Sequence, residues 1–291
     1  MTPTIPGFIA STTNYGAAKA VLFGAPYDST TSGRPGARFG PGAIRADSWG
    51  LETYSPYQDK DLEDLAFFDA GDLELPFGDS AAALALIEEQ TRAILETGKL
   101  PFLLGGEHLV TLGAVRAVAA KYPDLHLIHF DAHADLREDY LGVKLSHACV
   151  IRRCWETLGD GRIAQFGIRS GTREEFTWAQ SGHTALHKFG FFGIEELDEG
   201  LPKLMESLAA KKVPVYLTVD IDVLDPSIMP GTGTPEAGGI SAFAELLSAV
   251  LYVFKANVVA CDLVELAPGL DPSGVSTATA AKLVREMLLA I

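Results

Sequence analysis

The chain is predicted to fold as an α/β domain, a mostly parallel sheet covered by helices on both faces. Short apolar runs alternate with longer stretches of helical periodicity. The runs are apolar nearly throughout, as expected of strands buried on both faces. Most of them also end in glycines or in acidic and histidine residues. In open α/β sheets ligands gather beyond the carboxyl ends of the strands, so those ends are the first place to look for function.

The elements follow in order. "AVLFGAP" (20–26) and "LAFFDAG" (65–71) are strands that stop at Gly or Pro. "AAALALIEEQTRAILE" (81–96) has a helical period and makes a crossover. "PFLLGGEH" (101–108) is a strand whose paired glycines allow close backbone approach before His108. The helical period "LVTLGAVRAVAAKY" (109–122) follows, then the strand "LHLIHFDAHAD" (125–135) and the strand "IAQFGIRS" (163–170). "LPKLMESLAAKK" (201–212) is a helix leading to the strand "VYLTVDIDVLDP" (215–226). "SAFAELLSAVLYVF" (241–254), "VVACDLVELAP" (258–268) and "TATAAKLVREMLLAI" (277–291) close the pattern as helix, strand and helix.

No linker, repeat or low-complexity run divides the chain, so 1–291 is expected to be a single domain, with 1–18 as an N-terminal extension. "TSGRPGARFGPGAIR" and "MPGTGTPEAGG" sit between apolar runs and are loops. The N-terminus lacks the basic start and apolar stretch of a signal peptide, and no run is long enough to span a membrane. Cys149, Cys154 and Cys261 are too few for a disulfide framework or zinc ribbon and fit reduced, cytoplasmic thiols. A formal net charge of −15 argues against nucleic acid but would draw in a small cation.

Asp131, His133 and Asp135 lie two apart and would project together if the backbone stays extended; Asp220 and Asp222 repeat the spacing, and His108 adds an imidazole. Unpaired, four carboxylates in one place would repel and drive their pKa values upward. Divalent ions cancel a formal charge of about −4. The donor set is oxygen-rich with imidazole and no thiolate, which suits Mn²⁺ first and Fe²⁺, Co²⁺ or Zn²⁺ by affinity alone. Elsewhere, His126 and His129 are expected to be ordinary core or helix-facing histidines, and His183 and His187 to lie in a polar helix–loop region.

The stretches "GRPGARFGPGAIR", "GGEHLV", "FDAHADLR", "LSHACVIRR", "TVDIDVLDPSIMPGTGTPEAGG" and "DLVELAP" together resemble the ureohydrolases, the arginase and agmatinase family. The resemblance runs from about residue 20 to the end and leans toward the agmatinase branch. It implies an arginase-like fold, a three-layer domain with a sheet of about eight strands. It also implies about two Mn²⁺ per chain. His108 and Asp135 would complete one ion, His133 and Asp222 the other, with Asp131 and Asp220 shared. His147 matches the family's proton-transfer histidine and Glu265 the glutamate that holds the substrate guanidinium. Asp135 would relay a proton to the leaving amine, and Asp225 would hold the turn with Pro226.

The implied reaction is hydrolysis of a small cationic guanidino substrate to urea and an amine in a homo-oligomer, trimer or hexamer. Agmatine, giving putrescine and urea, is the expected substrate, because Glu138 and Asp139 would place an acidic rim where a substrate carboxylate would have to lie. Arg137 and Lys144 leave 4-guanidinobutyrate as the alternative, ahead of arginine. Two departures from the family pattern are noted: Glu107 where many relatives have Asp, and Ala148-Cys149 where many have Gly-Thr. A binuclear phosphoesterase would need an Asn-His-Asp/Glu context that the sequence lacks, and a non-catalytic regulator would be marked by loss of His147 or Glu265.

Overall fold

The computed structural model describes residues 7–188 and 195–291, with backbone alone at 187, 188 and 195–199. Residues 1–6 of the expected N-terminal extension lie outside the described residues. The strands are β1 (Ala20–Ala25), β2 (Tyr54–Ser55), β3 (Lys60–Asp61), β4 (Phe67–Asp72), β5 (Leu100–Gly105), β6 (His126–Phe130), β7 (Ile163–Ile168), β8 (Ala185–Lys188), β9 (Pro214–Asp220) and β10 (Asn257–Val264). β2 and β3 make a small antiparallel hairpin. The other eight form one parallel sheet in the order β4-β1-β5-β10-β9-β6-β7-β8.

Alternate residues of the central strands enter opposite cores. Leu217 and Val219 of β9 join Phe102, Leu104, Ile128 and Phe130 on one face. Tyr216 joins Leu103, Leu127 and Val264 on the other. Helices α1 (Gly40–Ser48), α6 (Glu195–Ala210), α7 (Phe243–Val253) and α8 (Val275–Ala290) cover the first face, α1 packing on α8 and α7 between α6 and α8. Helices α2 (Ser80–Glu96), α3 (Thr111–Lys121) and α4 (Val150–Leu158) cover the second, and α5 (Arg173–Trp178) follows β7. The expected three-layer fold and eight-stranded sheet are both present. Among the described residues no helix is long and apolar enough to cross a membrane.

Local chemistry explains several boundaries. Asp79 starts α2 by accepting from the Ala82 N–H at 2.9 Å. Thr172 and Glu175 form a reciprocal capping box on α5. Arg45 of α1 is buried against Asp69 and Asp72 of β4, which ties a helix to the sheet edge. β8, α1, α4 and α5 were not among the elements expected from sequence. His187, expected in a helix–loop region, is in β8, and its side chain lies outside the described residues.

What positions the site is the strand order. β9 and β10 come late in the chain yet occupy the centre of the sheet, between β5 and β6. Their carboxyl ends therefore stand beside those of β5 and β6. The paired glycines at the end of β5, Gly105 and Gly106, permit this crowding. A Cβ on Gly106 would lie 2.0 Å from the Tyr27 carbonyl oxygen, and one on Gly105 would lie 2.5 Å from a Val264 methyl.

Candidate metal centre

His108 opens a short 3-10 turn after β5. Asp131 stays on the sheet ladder, its N–H donating to the Phe166 carbonyl, and His133 still bridges Ser170. Asp135 does not continue that line. Its φ is +52°, the left-handed region that costs a non-glycine residue about 1–2 kcal/mol, so a turn swings its carboxylate inward. Asp220 ends β9, but Asp222 belongs to a 3-10 turn over Ile221–Val223, because Asp220 Oδ1 accepts the Asp222 N–H at 2.9 Å. The alternation expected for an extended strand thus describes Asp131 and His133 and fails for Asp135 and Asp222.

All six side chains nevertheless meet. His108 Nδ1 is 3.1 Å from Asp131 Oδ2, 3.4 Å from Asp135 Oδ2 and 3.3 Å from Asp220 Oδ2. His133 Nδ1 is 3.1 Å from Asp222 Oδ2 and 3.4 Å from Asp131 Oδ1. The four aspartates are buried, and among the described residues none is ion-paired with a lysine or arginine. Burial, then repulsion from Asp131, pushes Asp135 up to about 7. Burial, then Asp222 and Asp131, holds Asp220 well above the carboxylate range. Burial acts to lower His108, but the bonds to Asp131, Asp135 and Asp220 outweigh it and hold the ring well above its ordinary value. The His108 proton therefore stands among oxygens of three carboxylates, where a cation would stand. Four carboxylates and two imidazoles, without thiolate, fit hard or borderline divalent ions.

A titration follows from this. Uptake of Mn²⁺ by the metal-free protein is expected to release protons, because ligands must be deprotonated to bind. Apparent affinity should rise as pH climbs through about 7, where Asp135 loses its proton, and keep rising beyond, because Asp220 and His108 hold theirs longer. Calorimetric titrations in buffers of different ionisation enthalpy measure the protons directly. A pH-independent affinity between about 6 and 8 would contradict the assignment.

His147 and Glu265 lie beside the cluster. Glu265 sits at φ +67° after β10, its Oε1 accepting the His108 N–H at 2.8 Å. The same oxygen is 3.9 Å from His147 Nδ1. The Ser32 backbone N–H donates to His147 Nε2 at 3.1 Å, so the neutral ring carries its proton on Nδ1, toward Glu265. Burial, then the neighbouring His133 and His108, lowers His147 to about 4. Glu107 does not touch the aspartates; it accepts from the Thr30 N–H and hydroxyl and the Thr31 hydroxyl, fixing the loop that carries Ser32. Asp225 holds its turn by accepting from the Ser227, Gly238 and Gly239 N–H groups.

The sequence profile of the Arginase family matches residues 18–290. The chain belongs to the arginase family. Arginase-family hydrolases are metal-dependent, and the Asp131–His133–Asp222 and His108–His129–Asp131 groups could each hold an ion. Within the arginase family the chain is similar to the agmatinase of Bacillus subtilis (strain 168), 52% identical over 97% of this chain and 95% of that protein. It is similar in structure to the agmatine ureohydrolase of Thermoplasma volcanium, with a TM-score of 0.87 and 36% identity, covering 98% of this chain and 93% of that one. A guanidinobutyrase of Pseudomonas aeruginosa is 36% identical over 92% of this chain and 85% of its own length.

Two expectations need correcting for this arginase-family member. Glu138 and Asp139 do not form an acidic rim. Glu138 turns away to Lys144, Arg152 and Arg153, and Asp139 accepts the Gly142 N–H. The cleft over the cluster, about 230 Å³, is lined instead by Arg137, Tyr140, His147, Ala148 and Glu175. Nor is His129 an ordinary core histidine, because its Nε2 is 2.8 Å from Asp131 Oδ2.

Proposed function

We propose that this protein hydrolyses agmatine to putrescine and urea, using about two Mn²⁺ held by His108, Asp131, His133, Asp135, Asp220 and Asp222. The six-donor cluster, whose four buried aspartates have no lysine or arginine ion pair among the described residues, supports the metal chemistry. The 52% identity to a Bacillus subtilis agmatinase over nearly the whole chain supports the substrate. When bound, the ions supply Lewis-acid polarisation and an activated water at neutral pH.

The chain's own residues do the rest. Glu265 offers a carboxylate whose two oxygens can accept parallel N–H bonds from a planar guanidinium. Behind His147 and close to His108, it fixes the carbon to be attacked next to the aspartates. Asp135 lines the cleft beside the other donors and relays a proton to the leaving amine. His147 lines the cleft as a neutral ring held by Ser32, a suitable station for protons moving to solvent. Unpaired, buried Cys149, Cys154 and Cys261 suit a cytoplasmic enzyme, and a homo-oligomer is the expected assembly.

A second reading has one observation in its favour: Arg137 lines the cleft and could meet a substrate carboxylate, as in 4-guanidinobutyrate. Its Nε is already 3.7 Å from buried Glu175, and its guanidinium lies over the Tyr140 ring, so its charge is offset. Urea release from agmatine, arginine and 4-guanidinobutyrate on one Mn²⁺-loaded preparation decides between them. Agmatine is expected to lead by at least tenfold in kcat/KM, about 1.4 kcal/mol. A lead for guanidinobutyrate assigns Arg137 to the substrate carboxylate, and no urea from any of the three rejects the ureohydrolase reading.

A further inference from the structure

A row of polar side chains crosses four adjacent strands, β10, β9, β6 and β7, one step below the candidate metal donors. Asp262 of β10, Thr218 of β9, His129 of β6 and Gln165 of β7 are register partners across three parallel ladders. All four are fully buried, on the face of the sheet that otherwise carries Leu127, Tyr216 and Val264 into an apolar core. Each would cost several kcal/mol there if left without a partner.

Their bonds fix where the protons are. Gln165 Nε2 donates to the Ala134 carbonyl at 2.8 Å, and its Oε1 accepts from the Thr184 hydroxyl at 3.1 Å, so the amide can face only one way. The second amide hydrogen meets His129 Nδ1 at 3.1 Å, which makes Nδ1 an acceptor. Neutral His129 then carries its proton on Nε2, 2.8 Å from Asp131 Oδ2. At the other end, the Tyr216 and Thr111 hydroxyls donate to Asp262 Oδ2 at 2.7 and 2.8 Å. The Thr218 hydroxyl also gives its proton to the Asp262 carboxylate, which leaves Thr218 Oγ1 to accept from His108 Nε2 at 3.0 Å. His108 therefore turns Nδ1 toward Asp131, Asp135 and Asp220.

We propose that this row positions the metal donors from below, and that His129 is a positioning residue that holds Asp131 through Nε2–H rather than a ligand. Its nitrogens lie close enough to those of His108 and to Asp131 to suggest ligation. The Gln165 amide, however, occupies the one lone pair of the ring, and that lone pair faces away from the aspartates. The inference rests on the metal reading above and adds a residue that the sequence pattern assigned to the core.

His129→Leu removes the donor to Asp131, while His129→Gln keeps an N–H within reach. Mn²⁺ binding to the full-length protein, measured by competition with a chelator, is expected to weaken 10- to 100-fold in His129→Leu with the number of ions unchanged. It should return to within about threefold of wild type in His129→Gln, a rescue that simple packing loss would not give. Wild-type binding by the leucine variant, equal weakening in both, or loss of an ion from either overturns the proposal. Nitrogen-15 spectra of the imidazoles in the metal-free wild-type chain supply an independent reading that stands even if the leucine variant does not fold. His129, identified by the signal absent from His129→Gln, should show the Nε2–H tautomer, and the Nδ1–H tautomer overturns the proposal. A wild-type protein that takes up no Mn²⁺ rejects the metal reading itself, and the tautomer then judges the row alone.

Discussion

Asp222→Asn is expected to lower kcat/KM for agmatine about a thousandfold and to cost the protein about one of its divalent ions. The expectation rests on the ion's contribution of several kcal/mol, of which about 4 kcal/mol is a thousandfold in rate. The amide is nearly isosteric, and its oxygen can still accept the Ala132 N–H that Asp222 Oδ1 holds at 3.1 Å. What it removes is the charge 3.1 Å from His133 Nδ1. Folding should therefore survive, with a melting temperature of the metal-free protein unchanged or lowered, since the charge removed is the one that faces His133. Metal analysis and urea release on the same sample give the answer. Full ion content with activity within threefold of wild type would remove Asp222 from the ligand set.

Glu265→Gln is the second large effect. Hydrogen bonds to charged groups are worth about 1.5–3 kcal/mol each, so losing the charge that faces a guanidinium should cost about 3–4 kcal/mol. That corresponds to roughly a 10²- to 10³-fold fall in kcat/KM. Glutamine keeps an oxygen for the His108 N–H, which Glu265 Oε1 now accepts at 2.8 Å, so ion content should not change. This separates the two roles open to Glu265. A loss of ions would mean that its task is to hold the His108 turn, and a fall of less than tenfold would mean that the guanidinium is held by other groups.

The sequence revealed what depends on short spacing and missed what depends on neighbours distant in the chain. Seven strands of the large sheet were legible because each carries an apolar run, although β4, at the sheet edge, is buried only at Phe67. β8 was not: it is four residues long, pairs with β7 alone among the described residues, and its "ALHK" has too little apolar content to stand out. α1 was hidden by its opening "GPG", residues that usually signal a loop but here occupy the first turn of a helix. The six candidate donors were found because the short motifs "GGEH", "DAHAD" and "DIDVLDP" contain them. Their geometry was harder, since the left-handed turn at Asp135 and the Asp220-capped turn at Asp222 are not written in the alternation. Glu138 was misjudged because its partners, Arg152 and Arg153, belong to a helix the sequence had not disclosed. His129 was lost for the opposite reason: within a strand its type alone cannot say which face it takes, and Gln165 and Asp131 give it meaning only once β6 and β7 are paired.

The central placement of β9 and β10 has a consequence for how the molecule comes into being on the ribosome. When the chain has emerged past β7, β1, β4 and β5 can pair with one another, and so can β6 and β7, but the two groups have no strand between them. Until β9 and β10 arrive, the edges of β5 and β6 stay open, the kind of unpaired edge through which nascent chains aggregate. Asp220 and Asp222 arrive with β9, and Glu265 follows β10. His108, Asp131, His133 and Asp135 therefore wait as half a site. The sheet and the metal centre are completed by the same late insertion, so a chain that cannot seat its central strands cannot acquire the full donor set.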